Sequence, residues 1–258
     1  CVTIDPACVV TGLVATSRPV AQEQGLNPKL SVKWQATPNL MSYATLAKGF
    51  RFGGVNLITV GGIPATYTSD SLWNLEAGVR TDWLDGSLIT DLTAFAIRWT
   101  DAQVNLQNST GTAGYVDNVG QVHGWGLEGQ LVWLTPMPGL RLTFVPAFAD
   151  IRTAVPFKAG SDEVPTGTQW PLSPRLQTST TIGWTGAFVE TLNLSLGLTH
   201  RYSSKAPQTI DNRREVFGFS TLNLELGLES LAGGLWPKLS FNINNLTDHR
   251  GQIRAIEN

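Results

Sequence analysis

The sequence predicts an all-β fold: an antiparallel transmembrane β-barrel wall of about ten strands, belonging to a larger barrel of about 22 strands. Three observations predict it. Apolar and polar residues alternate at period two, short turns recur at a regular interval between much longer connections, and tryptophans gather near those short turns. Composition agrees. Charged residues make up 15 % of the 258, against roughly a quarter in an average soluble domain. No stretch approaches the roughly 20 apolar residues of a membrane-spanning helix. The net charge of −2 offers no polyanion-binding surface, so nucleic acid is not an expected partner.

The predicted strands, in order, are residues 29–35, 40–48, 73–84, 87–103, 118–134, 140–151, 175–184, 191–202, 219–229 and 238–246. In the third, Trp73, Leu75, Ala77 and Val79 alternate with Asn74, Glu76, Gly78 and Arg80. The fourth is the least regular, because Leu88, Leu92 and Phe95 do not share one phase. The eighth sets Leu192, Leu194, Leu196 and Leu198 against Asn193, Ser195, Gly197 and Thr199. The ninth sets Leu222, Leu224, Leu226 and Leu228 against Asn223, Glu225 and Gly227, and the tenth sets Leu239, Phe241 and Ile243 against Ser240, Asn242 and Asn244. Period two puts each set on one face of a strand. In a barrel the apolar set faces lipid, leaving Glu76, Arg80, Glu128, Asn193, Asn223 and Glu225 facing the lumen; in a soluble sandwich the apolar face packs on a second sheet.

Turn spacing separates these alternatives. Short connections are expected at Thr37-Pro38-Asn39, Asp85-Gly86, Pro136-Met137-Pro138-Gly139, Thr185-Gly186-Ala187 and from Ser230 to Pro237. Long connections are expected over 49–71, 104–117, 152–174 and 203–218. Short turns at one end and long loops at the other is the arrangement of outer-membrane barrels. Trp34, Trp83, Trp133, Trp184 and Trp236 all lie near the short turns. An indole favours the membrane interface, where its ring is apolar and its N–H reaches water.

The remaining motifs give no catalytic or metal site. Gly53-Gly54 and Gly61-Gly62 lack the strand–loop–helix context and the Gly-Lys-Ser/Thr of a phosphate loop. His123, His200 and His249 fall on separate strands or strand ends without the partners of a triad. A barrel protease or phospholipase would have to rest on His200 and Asp211. Cys1 and Cys8, without neighbouring histidines, form no zinc motif. They are a local disulfide or two free thiols, and an oxidising compartment favours the disulfide.

Three segments carry a family resemblance. Tyr43-Ala44-Thr45-Leu46-Ala47-Lys48-Gly49-Phe50-Arg51-Phe52-Gly53-Gly54-Val55-Asn56 is similar to a strand ending in a Lys-Gly-Phe-Arg turn and a glycine pair. Residues 118–129, from Asn118-Val119-Gly120 to Gly126-Leu127-Glu128-Gly129, resemble an Asn-x-Gly, Gly-x-Glu strand. Asn244-Asn245-Leu246-Thr247-Asp248 resembles the Asn-Leu-x-Asp motif before a last strand. Together they resemble the C-terminal half of the barrel of TonB-dependent receptors, over about residues 29–250.

The resemblance implies residence in the outer membrane of a Gram-negative bacterium, and TonB-powered uptake of a scarce, bulky nutrient, most commonly a ferric siderophore. A passive porin-like channel or a structural barrel subunit of an envelope complex is the alternative. It implies no enzyme activity and no cofactor. The expected partners are outer-membrane lipid and lipopolysaccharide, a small-molecule metal chelate, a plug domain, the remaining barrel strands and, through an N-terminal part outside this sequence, the TonB complex. Residues 1–28 are then a loop or partial segment before the strands, and 29–258 a barrel portion without the final strand. Arg51, Arg152, Lys158, Arg175, Lys205, Arg213 and Arg214 in the long loops are candidates to attract an anionic ligand. The competing reading pairs them with lipopolysaccharide or with Asp162, Glu163, Asp211 and Glu215. The strands at 29–35 and 238–246 are expected to pair with segments outside this chain rather than with each other.

Overall fold

The computed structural model describes residues 24–57, 63–108, 113–159, 162–211, 214–230 and 238–251. Ten strands form one antiparallel sheet: β1 (Lys29–Thr37), β2 (Leu40–Arg51), β3 (Asp70–Trp83), β4 (Leu88–Thr100), β5 (Gln121–Leu134), β6 (Leu140–Thr153), β7 (Leu176–Val189), β8 (Leu192–Ser203), β9 (Phe219–Ser230) and β10 (Leu239–Ile243). Each pairs with its neighbours in sequence, so spatial order equals chain order. β1 and β10 are the two edges and do not pair with each other. The sheet is therefore an open wall of sequential hairpins, as the alternation and turn spacing predict.

Register decides which side chains share a face. One lateral row runs Trp83, Leu88, Trp133, Leu142, Ile182, Leu198, Leu224, Ile243 across β3 to β10. These residues lie on the apolar face, where large side chains such as Leu75, Leu92, Trp125, Leu127 and Phe241 stand exposed. The opposite, polar face carries Glu76, Arg80, Glu128, Asn193, Asn223 and Glu225. Phe95 also belongs to the polar face, which explains the irregular phase of β4. It pairs with Gly126, where any Cβ would overlap its ring.

The short turns follow local backbone chemistry. Leu84, Asp85 and Gly86 all have positive φ, of 52°, 55° and 84°, and Gly86 N–H donates to the Trp83 carbonyl at 3.1 Å. Gly139 (φ 79°) lies so close to Thr185 of β7 that a Cβ would strike the Thr185 carbonyl, so only glycine fits. One expected turn is corrected. Thr185-Gly186-Ala187 is not a turn but paired strand, opposite Ser195, Leu194 and Asn193, and the chain reverses at Glu190-Thr191. Gly186 is there because the Trp184 indole folds over it; a bulge between Ala187 and Val189 then ends the strand. The connection after Ser230 and Trp236 lie outside the described residues.

The long connections are folded, not merely extended. Each holds a small antiparallel hairpin: 54–55 with 66–67, 103–107 with 114–118, 157–159 with 162–164, and 206–207 with 215–216. The buried core sits here rather than between sheets. Ala102, Val104, Leu106, Val119, Val122, Val164 and Ile210 form one cluster, and Trp99 and Trp170 pack against it with their own ring centroids 5.0 Å apart. Three loops thus share one apolar centre over the end of the wall, anchored on Val122 of β5.

Candidate functional site

The loop end of the wall is the candidate site, and a buried carboxylate organises it. Asp70 opens β3 at its loop end, beyond Trp73, and is 3 % exposed. Arg51, the last residue of β2, pairs with it directly across the strands. The Arg51 guanidinium forms an ion pair with Asp70, its Nε donating at 3.0 Å, and Gln103 N–H donates to the same carboxylate at 3.1 Å. The guanidinium also stands over the Trp99 ring, 4.9 Å from the centroid. Burial alone pushes the Asp70 carboxyl up. Hydrogen bonds from Arg51 and Gln103, the Arg51 charge and a Trp99 hydrogen bond outweigh it and hold the group below its ordinary range.

From that node, side-chain amides tie the first two long loops together. Gln103 donates through Nε2 to the carbonyls of Phe52 and Thr68, both at 2.9 Å. Asn118 accepts from Thr68 N–H at 2.8 Å and donates to the carbonyls of Thr68 and Asp101. Asn56 bridges Pro64 and Val116. The Asn118-Val119-Gly120 segment is therefore a clasp: its amide spans two loops, and Gly120 (φ 80°) makes the turn into β5.

The cations singled out in the sequence fall into separate places. Arg51 belongs to the Asp70 node on the polar face. Arg152 lies on the other face, donating through Nε to Asp150 at 2.9 Å and through a terminal nitrogen to the Gly167 carbonyl at 2.8 Å. Arg175 approaches the same Asp150 at 3.3 Å, an ion pair without a hydrogen bond. Lys158 is exposed on its hairpin opposite Glu163, and Lys205 pairs with Glu215 at 3.0 Å. Arg214 takes part in the fourth loop, its carbonyl accepting from Gln208. Arg213, Cys1 and Cys8 lie outside the described residues. His200 stands on the apolar face while the Thr209 hydroxyl donates to Asp211 in the loop. Among the described residues no three His, Cys, Asp or Glu side chains gather as a metal site.

Of the polar-face residues, Glu76 accepts from Asn74 at 2.6 Å, and Asn223 accepts from Asn245 N–H at 2.8 Å. The second contact docks the Asn244–Asp248 segment, where Asn245 (φ 55°) turns the chain back on β9. Farther toward the short turns, the same face holds an open cavity of about 440 Å³ bordered by Arg141, Glu225, Lys238 and Asn242. Sequence reasoning missed Asp70, Gln103, Asn56 and Asn118 as a unit. Its only linear trace is an Arg and an Asp bracketing one long loop.

A sequential antiparallel wall with short turns at one end and folded loops at the other is the arrangement of an outer-membrane β-barrel. The chain belongs to the TonB dependent receptor-like, beta-barrel family, whose model matches residues 9–246; this is a family of transport receptors. In fold it is similar to the ferric yersiniabactin uptake receptor FyuA from Yersinia pestis, at 18% identity and a TM-score of 0.66, with 85% of this chain and 32% of that one covered. It is also similar to BauA, the ferric preacinetobactin receptor from Acinetobacter baumannii, at 19% identity and a TM-score of 0.63, covering 86% and 32%. A third similar fold is the copper transporter OprC, at 15% identity and a TM-score of 0.63, covering 86% and 33%. The chain thus spans about a third of the length of these solved proteins.

Proposed function

We propose that this chain is part of the barrel wall of a receptor that takes up a scarce, bulky nutrient, with a ferric siderophore as the cargo class, in a TonB-dependent step. The observation that carries the reading is the folded loop layer, cross-braced through Asp70, above a wall whose two faces differ sharply in polarity. In this reading the apolar face meets lipid, and Glu76, Arg80, Glu128, Asn193, Asn223 and Glu225 face the lumen. A plug would dock against them, and β1 and β10 would pair with further strands, because lone edge N–H and C=O groups are costly in hydrocarbon.

Capture falls to the loops. Lys158, Arg213 and Arg214 attract an anionic chelate, while Arg51, Arg152 and Arg175 act through the ion pairs that shape the rim. The chain contributes binding and a path, not chemistry. The test is uptake of radiolabelled ferric siderophore by cells with and without the gene, in backgrounds with and without TonB. Uptake that requires both supports the proposal. Uptake that persists without TonB points to a passive channel and overturns it.

A further inference from the structure

The cavity on the polar face has a floor that the wall itself does not require. Gly183 of β7 and Gly197 of β8 are registered partners at its centre. Neither has a positive φ, and a Cβ at Gly183 would meet only two carbonyl oxygens, both at 3.9 Å. At Gly197 a Cβ would touch Glu225 at 3.4 Å, an ordinary contact. Gly78 and Gly126 on the same face differ, because Tyr43 and Phe95 lie over them. Among the described residues no ring covers the Gly183–Gly197 pair. A glycine inside a strand weakens it, and one that no bend or ring demands marks a place where a ligand or another backbone comes close.

Opposite charges flank this floor. Arg141 pairs laterally with Gly183, and Gly197 with Glu225, so the four form one row across β6 to β9. Three strand spacings of about 4.8 Å set the ends of the row roughly 14 Å apart. Arg141 and Glu225 border the cavity, both exposed, and neither has an ion-pair or side-chain hydrogen-bond partner among the described residues. Lys238 also borders it but is engaged by Glu229 at 3.6 Å. Thr143, Ser240 and Asn242 add hydroxyl and amide groups to the lining. Leu196 and Leu226 border the cavity too, yet alternation turns their side chains to the apolar face. The floor therefore offers no apolar anchor of the kind a folded partner docks through. It suits a small hydrated molecule.

Resting on the lumen-facing reading of this face, we propose that the groove is a binding site for an amide-bearing zwitterion, of the kind a short peptide is. Arg141 takes the carboxylate, Glu225 takes the ammonium group, and the backbone of the ligand lies across the two glycines. Thr143, Ser240 and Asn242 exchange hydrogen bonds with its amides. The two charges stand too far apart to neutralise each other directly, so a ligand with its own charges separated by several bonds satisfies both. Arg141 is the second residue of β6, at the short-turn end, while Glu225 lies five residues inside β9. The site is thus at the opposite end of the wall from the loop cations.

The test uses the full receptor purified in detergent, with triglycine as probe beside its N-acetyl form and its C-terminal amide, each of which lacks one charge. In ligand-observed NMR the wild type is expected to bind triglycine in the millimolar range, about fivefold more tightly than either blocked form. E225Q should erase the discrimination against the N-acetyl form alone, and R141Q that against the amide alone, while R141K keeps both. Uncharged maleimide is expected to label G197C in the resting receptor, above the background from Cys1 and Cys8, and triglycine to slow that labelling. A heat-shifted gel band confirms that each variant is folded. Equal binding of the three probes, no binding of triglycine, or a preference unchanged in both R141Q and E225Q would each overturn the site. So would a G197C thiol shielded from maleimide without peptide, because a docked polypeptide would then cover the floor. Failure of siderophore uptake would leave the peptide result unaffected, and the reverse also holds.

Discussion

Tyr43 lies over Gly78, its registered partner on the next strand: a Cβ at Gly78 would overlap the end of the phenol ring. The hydroxyl reaches past it to the Thr93 hydroxyl at 2.5 Å, so one side chain links β2, β3 and β4 across the polar face. Phe95 covers Gly126 in the same way on the next pair of strands. Such rings fill the gap that a strand glycine leaves.

These two glycines should differ in tolerance. At Gly78 the obstacle is the far end of a side chain, so G78A should cost about 1 kcal/mol, the value of the displaced hydrogen bond. At Gly126 an added Cβ would also strike the Phe148 carbonyl, which is backbone and cannot swing away. G126A should cost roughly 2–3 kcal/mol. Urea unfolding in detergent, followed by tryptophan fluorescence, checks the order; equal losses would contradict it.

Asp70 predicts a pH dependence of the loops. Its folded carboxyl titrates below its unfolded value of about 3.9. The clamp's contribution is therefore complete above that value and is lost as pH falls through the lower folded value. Hydrogen exchange at Asn56, Val116 and Gln103 should stay slow down to about pH 4 and accelerate below it. D70N should exchange faster already at neutral pH, with little further change on acidification. Acceleration setting in between about pH 5 and 7 would contradict the assignment.

The two faces predict opposite responses to charge. Leu92, 58% exposed near mid-height on the apolar face, should not tolerate arginine: L92R is expected to cost about 2–4 kcal/mol. Gln130 lies on the polar face of the neighbouring strand, opposite Asp91. Q130R should change stability by less than about 0.5 kcal/mol. Folding yield into liposomes distinguishes them, and similar yields would remove the lipid-facing assignment.

Loop cations predict a salt-sensitive affinity. Neutralising Arg213 and Arg214 together should weaken binding of an anionic ferric siderophore about tenfold at low salt, with the difference shrinking at high salt. R51Q should act otherwise, loosening exchange at Gln103 and Val116 because it removes the partner of Asp70. Isothermal titration at two salt concentrations separates the two effects; unchanged affinity in the double variant at low salt would exclude the capture role.

By itself the sequence determined what depends on short-range patterns. Period-two alternation placed all ten strands, Asp85-Gly86 and Pro136–Gly139 placed tight turns, and long polar connections placed the loop end. Such features are decided by which face each residue takes and by local backbone freedom. Only tertiary structure decided the rest. Thr185-Gly186-Ala187 has a turn's composition, yet pairing with β8 and the Trp184 indole over Gly186 keep it extended. The Asp70 clasp joins residues 33 and 50 positions apart, from Asp70 to Gln103 and from Thr68 to Asn118. The lateral row Lys48, Trp73, Arg98, His123 and Arg152 draws single residues from five strands, which become neighbours only through register. No local pattern records such contacts, because hydrogen bonds between distant segments follow from how the strands pair and not from the residues beside them.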